Sequence, residues 1–241
     1  MIKINPVETD KQAIDQPEAV KNGILPPLPA SYLVVGRSGS GKTTVLYNLL
    51  KSPELLGNYF NYIFVFSDVA VDDILQKLNL PKENFINGKN FNEDYVEKII
   101  NSISSKIKAQ GLKEAVKDMR ICFIFDDILS RQKFLKSDIM RKMFTANRHY
   151  LVSVFVLTQY LRGVPPTIRQ NASGVIFFPG SLAEIEKLAD ENTEANMNKK
   201  QFIKLVQHAT AEKHSFLFIN RKAPSGQRLR KGFNISLSLP K

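Results

Sequence analysis

Nine consecutive residues, Gly36 to Thr44 (Gly-Arg-Ser-Gly-Ser-Gly-Lys-Thr-Thr), leave this chain few ways to fold. They satisfy G-x-x-x-x-G-K-[ST], and their neighbours supply the context that the pattern needs. Tyr32-Leu33-Val34-Val35 is an apolar run of strand length, and Val45, Leu46, Leu49 and Leu50 recur at helical spacing. Strand, glycine-rich loop and helix in that order make a phosphate cradle. Glycines let successive N–H groups turn inward, and the helix N-terminus adds partial positive charge. The expected nucleotide contacts are Gly36, Arg37, Ser38, Gly39, Ser40, Gly41, Lys42, Thr43 and Thr44. Lys42 is expected at the β- and γ-phosphates and the Thr43 hydroxyl at Mg²⁺, whereas Thr44 is a helix residue with no required chemistry.

A second feature complements the loop. Ile121-Cys122-Phe123-Ile124-Phe125 is an apolar run that ends abruptly in Asp126-Asp127, the form of a Walker B strand. A strand buried on both faces delivers its last residues to the C-terminal edge of a parallel sheet, where ligands bind in open α/β folds. Asp126 is expected to hold Mg²⁺ and Asp127 to orient and deprotonate the attacking water. Either aspartate alone would also serve as a helix cap. The run Leu151 to Leu157 repeats the pattern and closes on Thr158-Gln159. The Gln159 amide can accept from the lytic water and donate to a phosphate oxygen, a sensor of the γ-phosphate; a plain strand-terminating glutamine is the alternative.

Further strands are expected at Tyr62 to Phe66, Gly174 to Phe178 and Ser215 to Ile219. Helices are expected at Val71 to Leu78, Tyr95 to Ala109, Lys133 to Asn147, Leu182 to Asp190 and Lys200 to His208. Asp68, Asp72 and Asp73 follow the second strand; acids at a helix start are favoured by its dipole, and a metal site is the sharper alternative. Residues 1–30, with Pro6, Pro17, Pro26, Pro27 and Pro29 and no sustained period, form an extended arm. It is either a disordered tail or a strap anchored by Ile24 and Leu25. Residues 31–220 hold the core, and 221–241 form a basic tail with Arg221, Lys222, Arg228, Arg230 and Lys231. That run reads equally as a solvated face or a nucleic-acid contact. His149, His208 and His214 have no matching carboxylate or thiol spacing and receive no site.

The 241 residues allow one domain with a full core. A single cysteine, Cys122, excludes an internal disulfide framework and suits a reducing compartment. No apolar run approaches membrane-span length, and the basic-then-apolar pattern of a signal peptide is missing at the N-terminus, so a protein neither inserted in membranes nor secreted by that route is expected. The net charge of +11 points to a polyanionic partner, nucleic acid first, with a basic surface that serves solubility alone as the alternative.

Taken together, the Gly36 to Thr44 loop, Phe125-Asp126-Asp127, and the block from Arg148 to Phe178 resemble the FtsK/HerA superfamily of DNA-pumping ATPases. In that block Arg148-His149, an apolar strand, Thr158-Gln159, a turn and Ile168-Arg169-Gln170-Asn171 precede a further strand. Within the superfamily the chain looks like the poxvirus-type genome-packaging ATPases of eukaryotic DNA viruses and virophages, from about Leu28 to Asn234. The resemblance implies an ASCE-type P-loop core: a three-layer α/β sandwich with a mostly parallel central sheet, in which a strand lies between the Walker A and Walker B strands. It also implies ATP and Mg²⁺ as cofactors, a homo-oligomeric ring of five or six subunits around double-stranded DNA, capsid vertex proteins as partners, and a cytoplasmic viral factory as the site of work. Arg148 matches the position from which such rings send an arginine into the neighbour's ATP site; Arg162 and Arg169 are rivals, and Arg37 is a candidate acting within its own subunit. The superfamily's commoner Asp-Glu is Asp126-Asp127 here, with a shorter second side chain. A P-loop nucleotide kinase and a nucleotide-gated, non-hydrolysing DNA-binding or assembly factor are the alternatives.

Overall fold

Strands rich in Val, Ile and Phe pair into one sheet in the computed structural model, which describes residues 15–195 and 197–238. In chain order they are β1 (Ser31–Val35), β2 (Tyr62–Ser67), β3 (Phe85–Asn87), β4 (Ile121–Asp126), β5 (Val152–Thr158), β6 (Gly174–Phe177), β7 (Leu217–Asn220), β8 (Leu229–Lys231) and β9 (Ile235–Ser236). Their spatial order is β3-β2-β4-β5-β1-β6-β7-β8-β9. Pairing is parallel from β3 to β6 and antiparallel from β6 to β9.

Every residue of β1, β5, β6 and β7 is buried. Successive side chains of a strand point to opposite faces, so both faces of the sheet are covered and the architecture has three layers. The covering helices are α1 (Glu18–Lys21), α2 (Lys42–Lys51), α3 (Asp73–Gln76), α4 (Glu93–Gln110), α5 (Leu112–Asp118), α6 (Gln132–Leu135), α7 (Asp138–Thr145), α8 (Pro166–Asn171), α9 (Leu182–Asn192) and α10 (Lys199–Ala209). Helix α4 shows why the pattern works. Asn92 caps its start by accepting from Tyr95 N, Val96, Ile100 and Ile103 bury one stripe, and Gly111 ends it. No helix among the described residues is long and apolar enough to cross a membrane.

Three regions differ from their sequence reading. The helix expected over Lys133 to Asn147 is two, α6 and α7. The break falls at Lys136 and Ser137, where the Ser137 hydroxyl accepts from Met140 N and starts a new helix. The helix expected from Val71 to Leu78 shrinks to the single turn α3. Residues 221–238, read as a tail, carry the last two strands, and the five basic residues are mostly held by partners in helices and turns of the chain. Arg221 donates to Asn192 Oδ1 and to the Arg169 and Ala172 carbonyls, Arg228 to Ala223 O, Arg230 to Phe233 O, and Lys231 pairs with Glu212. Only Lys222 of the five is exposed.

Of the arm, residues 1–14 lie outside the described residues. Residues 15–30 run against the core, with Leu25 and Leu28 buried and Ile24 partly so. Each buried leucine stabilises this docking by about 1.5–3 kcal/mol. The Asn220 amide donates to the Gly23 and Ile24 carbonyls, and Gln16 exchanges two hydrogen bonds with the Leu28 backbone.

Candidate nucleotide site

Three adjacent parallel strands, β4, β5 and β1, end side by side, and everything chemical gathers at that edge. Register sets the levels: Val35 lies beside Thr158, and Asp126 beside Leu157. The Gly36 N–H continues the ladder by donating to Thr158 O at 3.0 Å. The phosphate loop therefore leaves β1 level with the residue that precedes Gln159, and Asp127 emerges one strand further over.

The loop's conformation depends on two glycines. A Cβ on Gly36 would sit 2.5 Å from Ser40 Oγ and 2.8 Å from Phe178 Cβ, so only a hydrogen fits. Gly41 starts α2 with φ of +105°, a backbone state that L side chains rarely adopt. Ser40 N donates to Arg37 O and Val45 N to Gly41 O, which closes the turn onto the helix. The Lys42 ammonium donates to Gly36 O at 2.7 Å and to Arg37 O at 3.1 Å, arching back over the loop. Arg37 is exposed at the rim.

One cavity of 220 Å³ joins Ser38, Gly39, Lys42 and Thr43 to Asp126, Asp127, Thr158 and Gln159, with Asp72 on its wall. Of the residues expected at phosphate, metal and lytic water, this cavity thus gathers Ser38, Gly39, Lys42, Thr43, Asp126, Asp127 and Gln159; Gly36, Arg37, Ser40, Gly41 and Thr44 of the loop do not line it, and Arg148 lies apart. Asp127 has φ of +51°, which Asp tolerates better than most residues and which turns the chain away directly after β4. Gln159 Nε2 donates to its two carboxylate oxygens at 3.4 and 3.5 Å, long contacts that leave both groups able to face a third. Burial pushes the Asp126 carboxyl up to about 6, against the pull of the Lys42 charge and with added repulsion from Asp127 and Asp72. Burial likewise lowers Lys42 from its ordinary value, opposed by the same carboxylates.

A divalent cation and a triphosphate fit these observations. Ser40 Oγ is buried in the loop with no hydrogen-bond partner, and burial disfavours the Asp126 charge, which a bound cation would relieve. Among the described residues no three His, Cys, Asp or Glu side chains gather to cage a metal. Mg²⁺ is usually held by one or two protein oxygens together with substrate phosphates, and Thr43 and Asp126 are the side chains that would supply them here.

Surrounding contacts hold the site rigid. Asp68, read from sequence with the helix-opening acids, instead pairs with Arg131 at 2.6 Å and accepts from Ser130, tying the end of β2 to the turn after β4. Arg131 also donates to the Phe91 and Gly88 carbonyls and lies over the Phe91 ring. Asp72 caps α3 by accepting from Ile74 N, so the bland reading of that residue holds, yet its carboxylate also lines the site. Leu161 N donates to Glu184 Oε2 at 2.6 Å and fixes the turn after Gln159.

Arg148 sits elsewhere. It lies in a helical turn (Asn147–His149) just before β5, at the N-terminal edge of the sheet, exposed beside a 510 Å³ cavity shared with His149, Asn171, Ser173, Arg221 and Lys222. Its two rivals differ sharply. Arg169 is buried, pairs with Glu191 at 2.9 Å and donates to Val164 O, so it is packed into the core. Arg162 is exposed at the phosphate edge, donating to Ala183 O and standing 3.9 Å from Glu184.

A P-loop fold with one strand, β5, between the Walker A and Walker B strands, carrying a polar residue at its end, defines the ASCE class of nucleotide-binding proteins. Within it the chain belongs to the Poxvirus A32 protein family, whose profile matches residues 26–234. The DNA-packaging ATPase resemblance read from the sequence therefore holds at the level of family. Among solved structures, the genome packaging NTPase B204 from Sulfolobus turreted icosahedral virus 2 in complex with AMP superposes with a TM-score of 0.58 at 17% identity, covering 84% of this chain and 96% of B204. The same protein in complex with ATP-gammaS gives 0.55 at 15% identity over the same shares. B204, the DNA-packaging ATPase from Sulfolobus Turreted Icosahedral Virus, gives 0.57 at 16%, again over 84% and 96%. At these identities the likeness is one of fold. No curated protein matches the sequence.

Proposed function

We propose that this chain is an ATPase that drives double-stranded DNA into a viral capsid. The observation that carries the reading is the cavity that unites Lys42 and Thr43 with Asp126, Asp127 and Gln159, in a chain of the Poxvirus A32 protein family. Binding needs only the loop, but hydrolysis needs an activated water, and Asp127 with Gln159 beside it supplies the base and the orienting amide.

The roles follow from position. Loop N–H groups and Lys42 bind and orient the phosphates, offsetting their charge. Thr43 and Asp126 would hold Mg²⁺, which on binding neutralises charge between the β- and γ-phosphates. Asp127 takes the proton from the attacking water. Gln159 holds that water and reports the γ-phosphate to β5. Arg148 acts in trans: β5 separates it from the phosphate edge of its own subunit by roughly 20 Å for a strand of this length, so it serves the next subunit in a ring of five or six. Capsid vertex proteins are the further partners, and the host-cell site of virion assembly is the place of work.

ATP turnover with and without duplex DNA, across protein concentration, tests the reading. Turnover is expected to rise with both and to vanish in Lys42→Ala. DNA affinity should be indifferent to sequence and fall steeply with salt, since phosphate contacts release counterions. A protein that binds ATP yet hydrolyses none at any concentration, with DNA present, would be a nucleotide-gated binding factor instead.

A further inference from the structure

The site described so far accounts for phosphates, metal and water but not for the other half of a nucleotide. A second cavity, of 400 Å³, adjoins the first and shares Gly39, Lys42, Thr43 and Asp72 with it. Beyond those shared residues its walls are Gly41, Thr44 and Val45 of the loop and α2, Ile74 of α3, and His214. A triphosphate whose γ end lies at Asp126, Asp127 and Gln159 must run over the shared residues and emerge beside Thr44, so its nucleoside end enters this second cavity.

We infer that His214 is a nucleoside-binding residue, with the nucleoside of ATP held between its imidazole and the apolar surface of Val45 and Ile74. This rests on the nucleotide-binding reading above. Three observations support it. First, His214 Nδ1 lies 3.1 Å from Ser40 O. A carbonyl only accepts, so Nδ1 carries the proton and is engaged by Ser40, which leaves the other ring nitrogen, Nε2, for a ribose hydroxyl or a base. Second, the residue is held in the left-handed region, φ of +63°, a backbone state that His enters more readily than most side chains and that here sets its ring beside the phosphate loop. Third, its loop is fastened. Glu212 pairs with Lys231 of β8 at 2.5 Å, Ser215 and Glu212 exchange hydrogen bonds, and Phe216 packs on Phe178, the ring that also covers Gly36. An exposed ring this firmly placed is preorganised for a ligand.

Two variants separate ligand contact from support of the loop. His214→Gly tolerates the backbone angle and removes the ring. His214→Asn also tolerates it and keeps an N–H donor for Ser40 O. Affinities for ATP and for inorganic tripolyphosphate are measured on the full chain by calorimetry. We expect both variants to bind ATP about tenfold more weakly than wild type, about 1.4 kcal/mol, with tripolyphosphate affinity unchanged in His214→Asn. Equal losses for both ligands in both variants would make His214 a prop for the phosphate loop and overturn the assignment. ATP affinity unchanged in both variants would overturn it too. Wild-type protein that binds neither ligand would instead refute the nucleotide-binding reading on which the assignment rests.

Discussion

Asp126→Asn should make the protein more stable while destroying its activity, and the size of the effect can be worked from the site. Burial and the neighbouring Asp127 and Asp72 raise the Asp126 carboxyl from 3.8 to about 6 even with Lys42 opposing them. In the unfolded chain the group keeps its ordinary value. Above pH 6 both states are ionised, and the folded state bears the cost of the buried charge; below pH 4 both are neutral and no cost remains. Between these limits the unfolded chain binds fewer protons than the folded one, so stability falls as pH rises. A rise of about two pH units corresponds to about 3 kcal/mol. An asparagine of the same shape carries no charge and escapes this cost.

Thermal unfolding of both proteins without nucleotide, in chelator, from pH 4 to 8, measures it. The two melting temperatures should nearly coincide at pH 4, separate through pH 4–6, and stay apart by about 6–12 °C above that, at about 2–4 °C per kcal/mol for a chain of this size. Titrating groups remote from Asp126 are common to both proteins and cancel in the difference. Mg²⁺ with a non-hydrolysable nucleotide should narrow the gap at pH 8, because a cation relieves the charge only where a carboxylate is present. A gap already complete at pH 4, or a variant less stable than wild type at pH 8, would refute the reasoning and show that Asp126 is compensated in the folded state.

Asp127→Asn should bind ATP as wild type does and lose about 10²–10⁴-fold in turnover; its melting temperature should hardly move, since Asn accepts the φ of +51° equally well. Wild-type turnover in that variant would move the base elsewhere. Arg148→Ala should leave ATP affinity unchanged and remove turnover in the assembled form, and mixing it with Lys42→Ala protein should restore part of that turnover. No recovery in demonstrated hybrid rings would transfer the role to Arg162.

The sequence made the phosphate edge readable because its chemistry is local. Gly36 to Thr44 dictate their own conformation, and the apolar runs that end in Asp126-Asp127 and Thr158-Gln159 carry their function at the point where burial stops. The order of those strands is not local: periodicity marks β5 as a buried strand but is silent on its place between β4 and β1, which came from family resemblance. The approach of His214 to the phosphate loop was illegible for the same reason. It meets Ser40 across 174 positions of sequence, and no spacing rule reaches that far. The short strands β8 and β9 were missed because Leu229-Arg230-Lys231 is mostly charged and Ile235-Ser236 is only two residues long; their partners, not their composition, make them strands. Ser137 followed by Asp138 was a legible helix start inside the Lys133 to Asn147 run, a polar cap with an acid in the first turn.

Basic residues were the hardest to read, because charge alone does not tell a solvated or anion-binding side chain from one that satisfies buried carbonyls. Arg169 and Arg221 spend their guanidinium donors on Glu191, Asn192 and the backbone around α8, so their contribution is to hold β6 and β7 beside that helix. Freeing either would leave buried acceptors without donors, at about 1–3 kcal/mol each. That cost removes Arg169 from the contest for a mobile catalytic arginine and leaves Arg148 at one edge of the sheet and Arg162 and Arg37 at the other. Arg162 shares an edge with its own phosphate loop and can act within its subunit; Arg148 faces away from it, and no residue lining the cavity beside it is a carboxylate that would hold its charge. If catalysis depends on Arg148, no single subunit contains a complete site, and turnover becomes a property of the assembled ring. The mixing experiment with Lys42→Ala and Arg148→Ala therefore tests assembly and chemistry together.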